Sequence, residues 1–139
     1  MIGEDGLIKY KLVAIDTNIF IYHYSGNPSW VQLTEQVFNS LADDKIKAVT
    51  SSLTLAELLS FKTSDLKLKE LFESFIITPN LTILPLDTTT ALEAARIRRQ
   101  YGFRLPDSVQ LATALTAKAQ AFITNDKNLR SFREIPVIK

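Results

Sequence analysis

Cysteine is absent from this chain of 139 residues, and histidine occurs once, as His23. Without cysteine the protein has no disulfide framework, no thiol nucleophile and no thiolate metal site, a composition that suits the reducing interior of a cell. A nucleophile activated by histidine would have to use His23. Because that residue lies in the aromatic run FIYHY, we predict that it packs half-buried among neighbouring rings and has no catalytic role.

Long apolar runs are also missing. No stretch approaches the roughly 20 apolar residues that a membrane span requires. The start, MIGEDGLIKYK, carries acids and glycines where a signal peptide would need an apolar run. We therefore expect a cytoplasmic protein that does not enter a membrane. A hydrophobic content of 46% with 22% charged residues predicts one globular domain, which we place at residues 11–139, after a loose N-terminal arm of residues 1–10.

Short apolar runs alternate with helical patterns along the chain. The runs KLVAI, KIKAV, LTILPL and AFITN predict strands at residues 11–15, 45–49, 81–86 and 121–125, with VIK at 137–139 as a candidate fifth. Helical periodicity covers residues 34–42, 55–62, 66–75, 89–101 and 107–119, and Gly102 should end the fourth of these helices. Strands connected through helices form parallel sheets covered on both faces. The predicted fold is α/β, a three-layer α/β/α sandwich around a central parallel sheet.

Four acids fall where such a sheet would present a ligand crevice, outside the carboxyl ends of its strands. Asp16 ends the first predicted strand, Glu57 lies beyond the second, Asp126 follows AFITN, and Asp107 opens the helix before it. Converging carboxylates repel one another unless a cation lies among them, and all-oxygen ligands favour Mg²⁺ or Mn²⁺. Without these four, eleven acids remain against 16 basic residues. The rest of the surface therefore has a net positive charge, which would suit binding to a phosphate backbone.

Each of these acids also has a purely structural interpretation at a helix start. Asp16 can cap the helix that follows, Asp107 comes after Pro106 in a first helical turn, and Asp126 lies in a Thr-Asn-Asp turn sequence. Glu57 fits a capping box that begins at Thr54. These interpretations share a cause, because every helix N-terminus attracts negative charge. Both interpretations therefore stay open at this stage.

The segments VAIDTN, SLTLAELL, LPDSVQLATAL and FITNDKNL, in this order and at these separations, resemble the PIN-domain nucleases, and most closely the small VapC-type toxins of toxin–antitoxin pairs. The resemblance covers the chain from about Leu12 onward, and only the N-terminal arm departs from it. It implies a metal-binding and catalytic quartet with two supporting residues, namely Asp16, Glu57, Asp107 and Asp126 with Asn18 and Thr124. It also implies cleavage of RNA with Mg²⁺ or Mn²⁺, a homodimer, and a cognate antitoxin protein as partner.

The segment RIRRQYGFR, just before Asp107, offers basic residues for phosphate contacts. We predict RNA binding for Arg98, Arg99 and Arg104, with Arg96 as a further candidate. The alternative is a solvated helix face, with Tyr101 and Phe103 in the core.

Other functions remain open on the sequence alone. A phospho-acceptor receiver domain has an acidic pocket on the same edge of a similar sheet, but here it would depend on Asp87, which is poorly placed for that role. Two further possibilities are a PIN nuclease of RNA processing or decay without an antitoxin, and an RNA- or protein-binding module with an inactive site.

Overall fold

The structure, a computed structural model, describes residues 4–138, within which five strands form one parallel sheet in the order β3-β2-β1-β4-β5. The strands are β1 (Leu12–Ile15), β2 (Lys47–Ser51), β3 (Leu81–Leu84), β4 (Ala121–Ile123) and β5 (Val137–Ile138). The predicted parallel sheet is confirmed, including its fifth strand, although Lys139 lies outside the described residues.

Seven α-helices and one 3₁₀ helix surround the sheet in the described part of the chain. The helices are α1 (Glu4–Ile8), α2 (Thr17–Ser25), α3 (Val31–Ala42), α4 (Ser52–Leu58), α5 (Asp65–Ile76), α6 (Thr88–Tyr101) and α7 (Leu105–Thr116), and the 3₁₀ helix is Lys127–Ser131. As predicted, Gly102 ends α6, because its φ of 76° is the left-handed conformation that glycine adopts without steric cost.

Alternation along the strands divides the core into two apolar clusters, one on each face of the sheet. Val13 and Ile15 of β1 belong to a cluster with side chains from the helices before β3, such as Phe20. Ala14, between them in sequence, belongs to the other cluster, with Ile97 of α6 and residues of α7. Both faces of the sheet are therefore covered by helices, and the predicted three-layer sandwich is confirmed.

The strand register brings the ends of β1 and β4 together. Ile15 is paired with Ile123, and the backbone N–H of Asp16 donates to the carbonyl of Ile123 at 2.9 Å. Asp16 and Thr124 thus leave the sheet side by side. This edge, where β2 also ends and leads directly into α4, positions the candidate site.

Two of our predictions differ from the structure in ways that matter below. Residues 1–10 were expected to be a loose arm, but residues 4–8 form α1, and the side chain of Leu7 is fully buried against the core. Residues 1–3 lie outside the described part.

The helix expected at residues 55–62 instead begins at Ser52, and Ser51 caps it by accepting a hydrogen bond from the N–H of Leu53 at 3.0 Å. The predicted capping box from Thr54 to Glu57 is therefore wrong, since both residues lie inside the helix.

Candidate active site

Asp16 combines a structural and an electrostatic role. One carboxylate oxygen caps α2 by accepting the N–H of Thr17 at 2.9 Å, and the other accepts the hydroxyl of Thr124 at 2.7 Å. Its pKa is raised from 3.8 to about 6, mainly because burial removes water from the carboxylate. The charges of Asp107 and Glu57 act in the same direction, against the lowering effect of the two hydrogen bonds.

Thr124 connects Asp16 to Asp126. Its buried hydroxyl donates to Asp16 and accepts the backbone N–H of Asp126 at 3.1 Å. Asp126 is half-buried and caps the 3₁₀ helix by accepting the N–H of Asn128 at 2.9 Å. Thr124 thus lies where a supporting residue was expected, whereas Asn18, the second residue of α2, is half-buried, and its supporting role stays a prediction.

Asp107 lies in the first turn of α7 and is nearly buried. The Nε of Arg104 donates to its Oδ2 at 3.2 Å, while the Arg104 side chain stays 77% exposed. This contact raises the pKa of the Arg104 guanidinium, and the charges of Asp126 and Glu57 add to the shift. Arg104 therefore contacts Asp107 and interacts electrostatically with Asp126 and Glu57 as well.

Glu57 is half-buried on α4 and accepts the hydroxyl of Thr17 on its Oε1 at 2.8 Å. Thr17 also lies 3.0 Å from the hydroxyl of Thr54, and the side-chain amide of Gln110 on α7 donates to both hydroxyls. Sequence reasoning missed Thr17 and Gln110 and misassigned Thr54. The signal that sequence reasoning could have used is a polar glutamine between Val109 and Leu111, in the largely apolar stretch VQLATAL.

The four acids therefore share one edge of the sheet, but they are not drawn tightly together. Within residues 4–138, no three side chains of aspartate, glutamate or histidine form a group close enough to hold a metal ion. Arg104 supplies positive charge to the same region.

Three of the four arginines considered for RNA binding, Arg96, Arg98 and Arg104, have a partner within residues 4–138. Arg96 pairs with Glu93 and Glu134. Arg98 donates to the carbonyl of Phe103 at 3.1 Å, beyond the end of α6. Arg99 is exposed. RNA binding stays a prediction for Arg98, Arg99 and Arg104.

His23 has the predicted packing role. Its ring stacks on Phe38 with centroids 3.8 Å apart, and burial lowers its pKa. Tyr101 and Phe103 likewise stack on each other, and Phe103 is buried in the cluster on the α6–α7 face.

The sequence matches the family model of the PIN domain over residues 13–135. The chain therefore belongs to the PIN-domain family, which sets the receiver-domain interpretation aside. No curated protein matched the sequence.

Among solved structures the fold is similar to chains of toxin–antitoxin complexes. A toxin–antitoxin complex from Klebsiella pneumoniae matches with a TM-score of 0.68 and 22% identity, and DNA-bound VapBC from Salmonella typhimurium with 0.69 and 19%. Each match covers 91% of this chain and 96% of the other. VapBC-5 from Mycobacterium tuberculosis matches with a TM-score of 0.59 and 23% identity, over 92% of this chain and 98% of the other.

Among residues 4–138, no helix is long and apolar enough to span a membrane.

Proposed function

We propose that the protein is a divalent-metal-dependent endoribonuclease and the toxin of a toxin–antitoxin pair. The observation that carries the proposal is the buried Asp16 carboxylate, whose pKa of about 6 reflects burial together with the charges of Asp107 and Glu57. Burying like charges side by side costs free energy, and a cation bound among them removes that cost. Perturbed carboxylates at the crevice edge of a parallel sheet are typical of a catalytic site.

The donor set fits Mg²⁺ or Mn²⁺, because every candidate ligand is a carboxylate oxygen. Asp16 and Asp107 would hold the ion with Glu57 and Asp126, once the carboxylates are drawn closer together and Arg104 releases Asp107. A divalent ion supplies, when bound, the means to ionise a water at neutral pH and to neutralise the charge that builds on a phosphate.

The protein's own groups then orient and retain the substrate. Thr124 holds Asp16 in place, and Arg104, released from Asp107, is close enough to the acids to contact a phosphate of the RNA. No side chain of the protein needs to form a covalent bond with the substrate.

Cleavage of a labelled single-stranded RNA tests the enzymatic part. We expect cleavage with Mg²⁺ or Mn²⁺ and none in EDTA, because the bound ion is the group that would lower the pKa of the attacking water. Asp107→Asn should lower the rate on the order of 100-fold or more. Asp87→Asn is the matched control, because Asp87 caps α6 through the N–H of Thr90, away from the site. Undiminished cleavage in EDTA, or by purified Asp107→Asn, would contradict the proposal.

The exposed apolar surface around α5 supports a protein partner, which we identify as the antitoxin. Phe61, Leu66, Phe72, Ile76 and Ile77 all expose large apolar side chains before, along and after this helix. Several large apolar side chains exposed along one segment of the chain favour an interaction site. The solved complexes of similar fold pair a toxin with an antitoxin.

The partner test is co-expression with the product of the neighbouring gene. We expect a stable complex that suppresses cleavage, and Phe72→Ser should weaken it. Cleavage that no neighbouring gene product inhibits would instead favour a PIN nuclease of RNA processing or decay. Light scattering of the isolated protein tests the predicted homodimer separately.

A further inference from the structure

A chain of buried hydroxyl groups runs beneath the candidate acids, from the backbone of β1 to Glu57. Thr50 donates to the carbonyl of Ile15 at 2.9 Å and lies 2.8 Å from the hydroxyl of Thr54. Thr54 lies 3.0 Å from Thr17, and Thr17 donates to Glu57 at 2.8 Å. The three threonines expose at most 4% of their surface, so water cannot replace a missing partner.

Each hydroxyl has one proton, and the two ends of this chain decide where the protons point. The carbonyl of Ile15 can only accept, so Thr50 gives its proton there, and Thr54 must then donate to Thr50. At the other end Oε1 of Glu57 accepts the proton of Thr17. The 3.0 Å contact between Thr17 and Thr54 is therefore left with two oxygens and no proton between them.

Gln110 resolves this conflict. Its side-chain NH₂ group donates to Thr17 at 3.1 Å and to Thr54 at 2.8 Å, which matches the two N–H bonds of an amide. Gln110 is only 2% exposed, and α7 fixes it on the same helix as Asp107. Both threonine oxygens are satisfied as acceptors, so neither needs to turn its proton toward the other.

We propose that Gln110 is a positioning residue that commits the Thr17 hydroxyl to Glu57 and so fixes that carboxylate for metal binding. The inference rests on the proposed function, because it assigns Oε1 of Glu57 to Thr17 and the other oxygen to the cation. Without the amide, Thr17 has two competing acceptors, Thr54 and Glu57. Whenever Thr17 turns toward Thr54, Glu57 loses the hydrogen bond that holds it.

Gln110→Met tests the inference, because methionine keeps the length of the side chain and removes both N–H donors. Titration calorimetry with Mn²⁺ alone, without RNA, measures the site directly. We expect Mn²⁺ binding on the order of 10-fold weaker than in the wild type, the usual effect of removing a group that orients a metal ligand. The matched control is Thr113→Val on the same helix, because the buried hydroxyl of Thr113 donates to the carbonyl of Val109, within its own helix. It should bind Mn²⁺ as the wild type does.

A second substitution distinguishes positioning from simple loss of packing. Thr54→Val in the Gln110→Met protein removes the competing acceptor, so Thr17 again has only Glu57 to donate to. We expect this double variant to recover Mn²⁺ binding close to the wild-type value, although a packing defect would become worse. Thr17→Val, which keeps the size of the side chain, should also weaken Mn²⁺ binding, and adding Thr54→Val should not restore it. This variant tests the role of the Thr17 hydroxyl even if Gln110→Met unfolds.

The outcomes separate the two proposals. A wild-type protein that binds no Mn²⁺ contradicts the metal-dependent function and removes the basis of the inference with it. If the wild type binds Mn²⁺ and either Gln110→Met or Thr17→Val binds it equally well, the function stands and the positioning role of Gln110 is wrong. The positioning role is also wrong if Gln110→Met is folded and Thr54→Val does not restore its Mn²⁺ binding.

Discussion

The Asp16 carboxylate uses its two oxygens for different purposes. Oδ1 caps α2 through Thr17, and Oδ2 receives the hydroxyl of Thr124 from the end of β4. Asp126 likewise caps its own 3₁₀ helix while it contributes charge to the region around Arg104. The structural and functional interpretations of an acid at a helix start are therefore compatible, and each acid has to be tested by a substitution that separates them.

Asp16→Asn should stabilise the metal-free protein at neutral pH. The folded-state pKa of about 6 lies above the ordinary 3.8, so the folded protein retains a proton that the unfolded chain has lost between these values. Stability from this group is therefore present at acid pH and lost as the pH rises through about 4 to 6. Asparagine keeps the cap on α2 but never ionises, so we expect a gain of up to about 3 kcal/mol at pH 7.5 and little change near pH 4. Chemical denaturation in EDTA at several pH values measures both.

Asp87→Asn is a control for which the expected change in stability has the opposite sign. Hydrogen bonds from Thr90 lower the pKa of Asp87, so its stabilising effect is present above 3.8 and is lost as the pH falls below it. Replacing it should therefore stabilise at no pH and cost some stability at neutral pH. If Asp16→Asn is also less stable than the wild type at pH 7.5 in EDTA, Asp16 supports the fold and its placement for a metal is contradicted.

At the residue level, the sequence predicts which acids follow strands, because their position depends only on where apolar runs end. Thr17, Thr54 and Gln110 are ordinary polar residues, and their mutual hydrogen bonds join α2, α4 and α7, which are far apart in sequence. No local pattern encodes such a contact. The network is visible only after the helices are packed.

The start of α4 also depends on tertiary contacts that the local sequence does not show. Both Ser51 and Thr54 are good capping residues, and the sequence alone favoured Thr54 because Glu57 follows it at the spacing of a capping box. In the structure β2 leads into α4 without a loop, so Ser51 is the cap and Thr54 is free to face Thr17 and Gln110. The tertiary hydrogen bonds of Thr54 override the local motif.

The helix α1 is the element that the sequence least predicted, because a helix of five residues is too short to show a periodic pattern. Leu7 belongs to the same apolar cluster as Val13 and Ile15, and α1 lies against α3. Ile8 packs against the same cluster, so burial of apolar side chains helps to hold α1 against the core.

Leu7→Ala should therefore destabilise the protein by about 2 to 5 kcal/mol, the usual cost of removing a buried leucine side chain. Leu92→Ala is the matched control, because Leu92 on α6 is 69% exposed and its replacement should change stability by less than about 0.5 kcal/mol. Urea titration measures the free energy of unfolding of both variants and of the wild type. Equal, small effects of the two substitutions would return residues 4–8 to a loose arm.

For the molecule as a whole, the class of fold follows from patterns that the sequence displays openly. Three of the five strands, β1, β4 and β5, are continuous apolar runs, which are typical of a parallel sheet buried on both faces, and the helices between the strands require crossovers. The distribution of charge is less predictable, because ion pairs across elements, such as Arg96 with Glu134, remove arginines from the set that can bind phosphate.

Arg99 is consequently the best test of an RNA path over the end of α6. In an Asp107→Asn background that does not cut RNA, Arg99→Ala should weaken binding similarly for different sequences and reduce the slope of log affinity against log salt by about 0.7, the value for one phosphate contact on a single strand.

The control for this measurement is Lys69→Ala, because Lys69 is 72% exposed on α5, which packs on the opposite face of the sheet from α6. Its replacement removes the same charge from the molecule and should leave the slope unchanged, since long-range attraction is screened within about 10 Å at ordinary salt. A lowered slope for both variants would indicate a general charge effect. An unchanged slope for Arg99→Ala would show that the RNA does not pass over the end of α6, and the exposed arginine would then be a solvated surface residue.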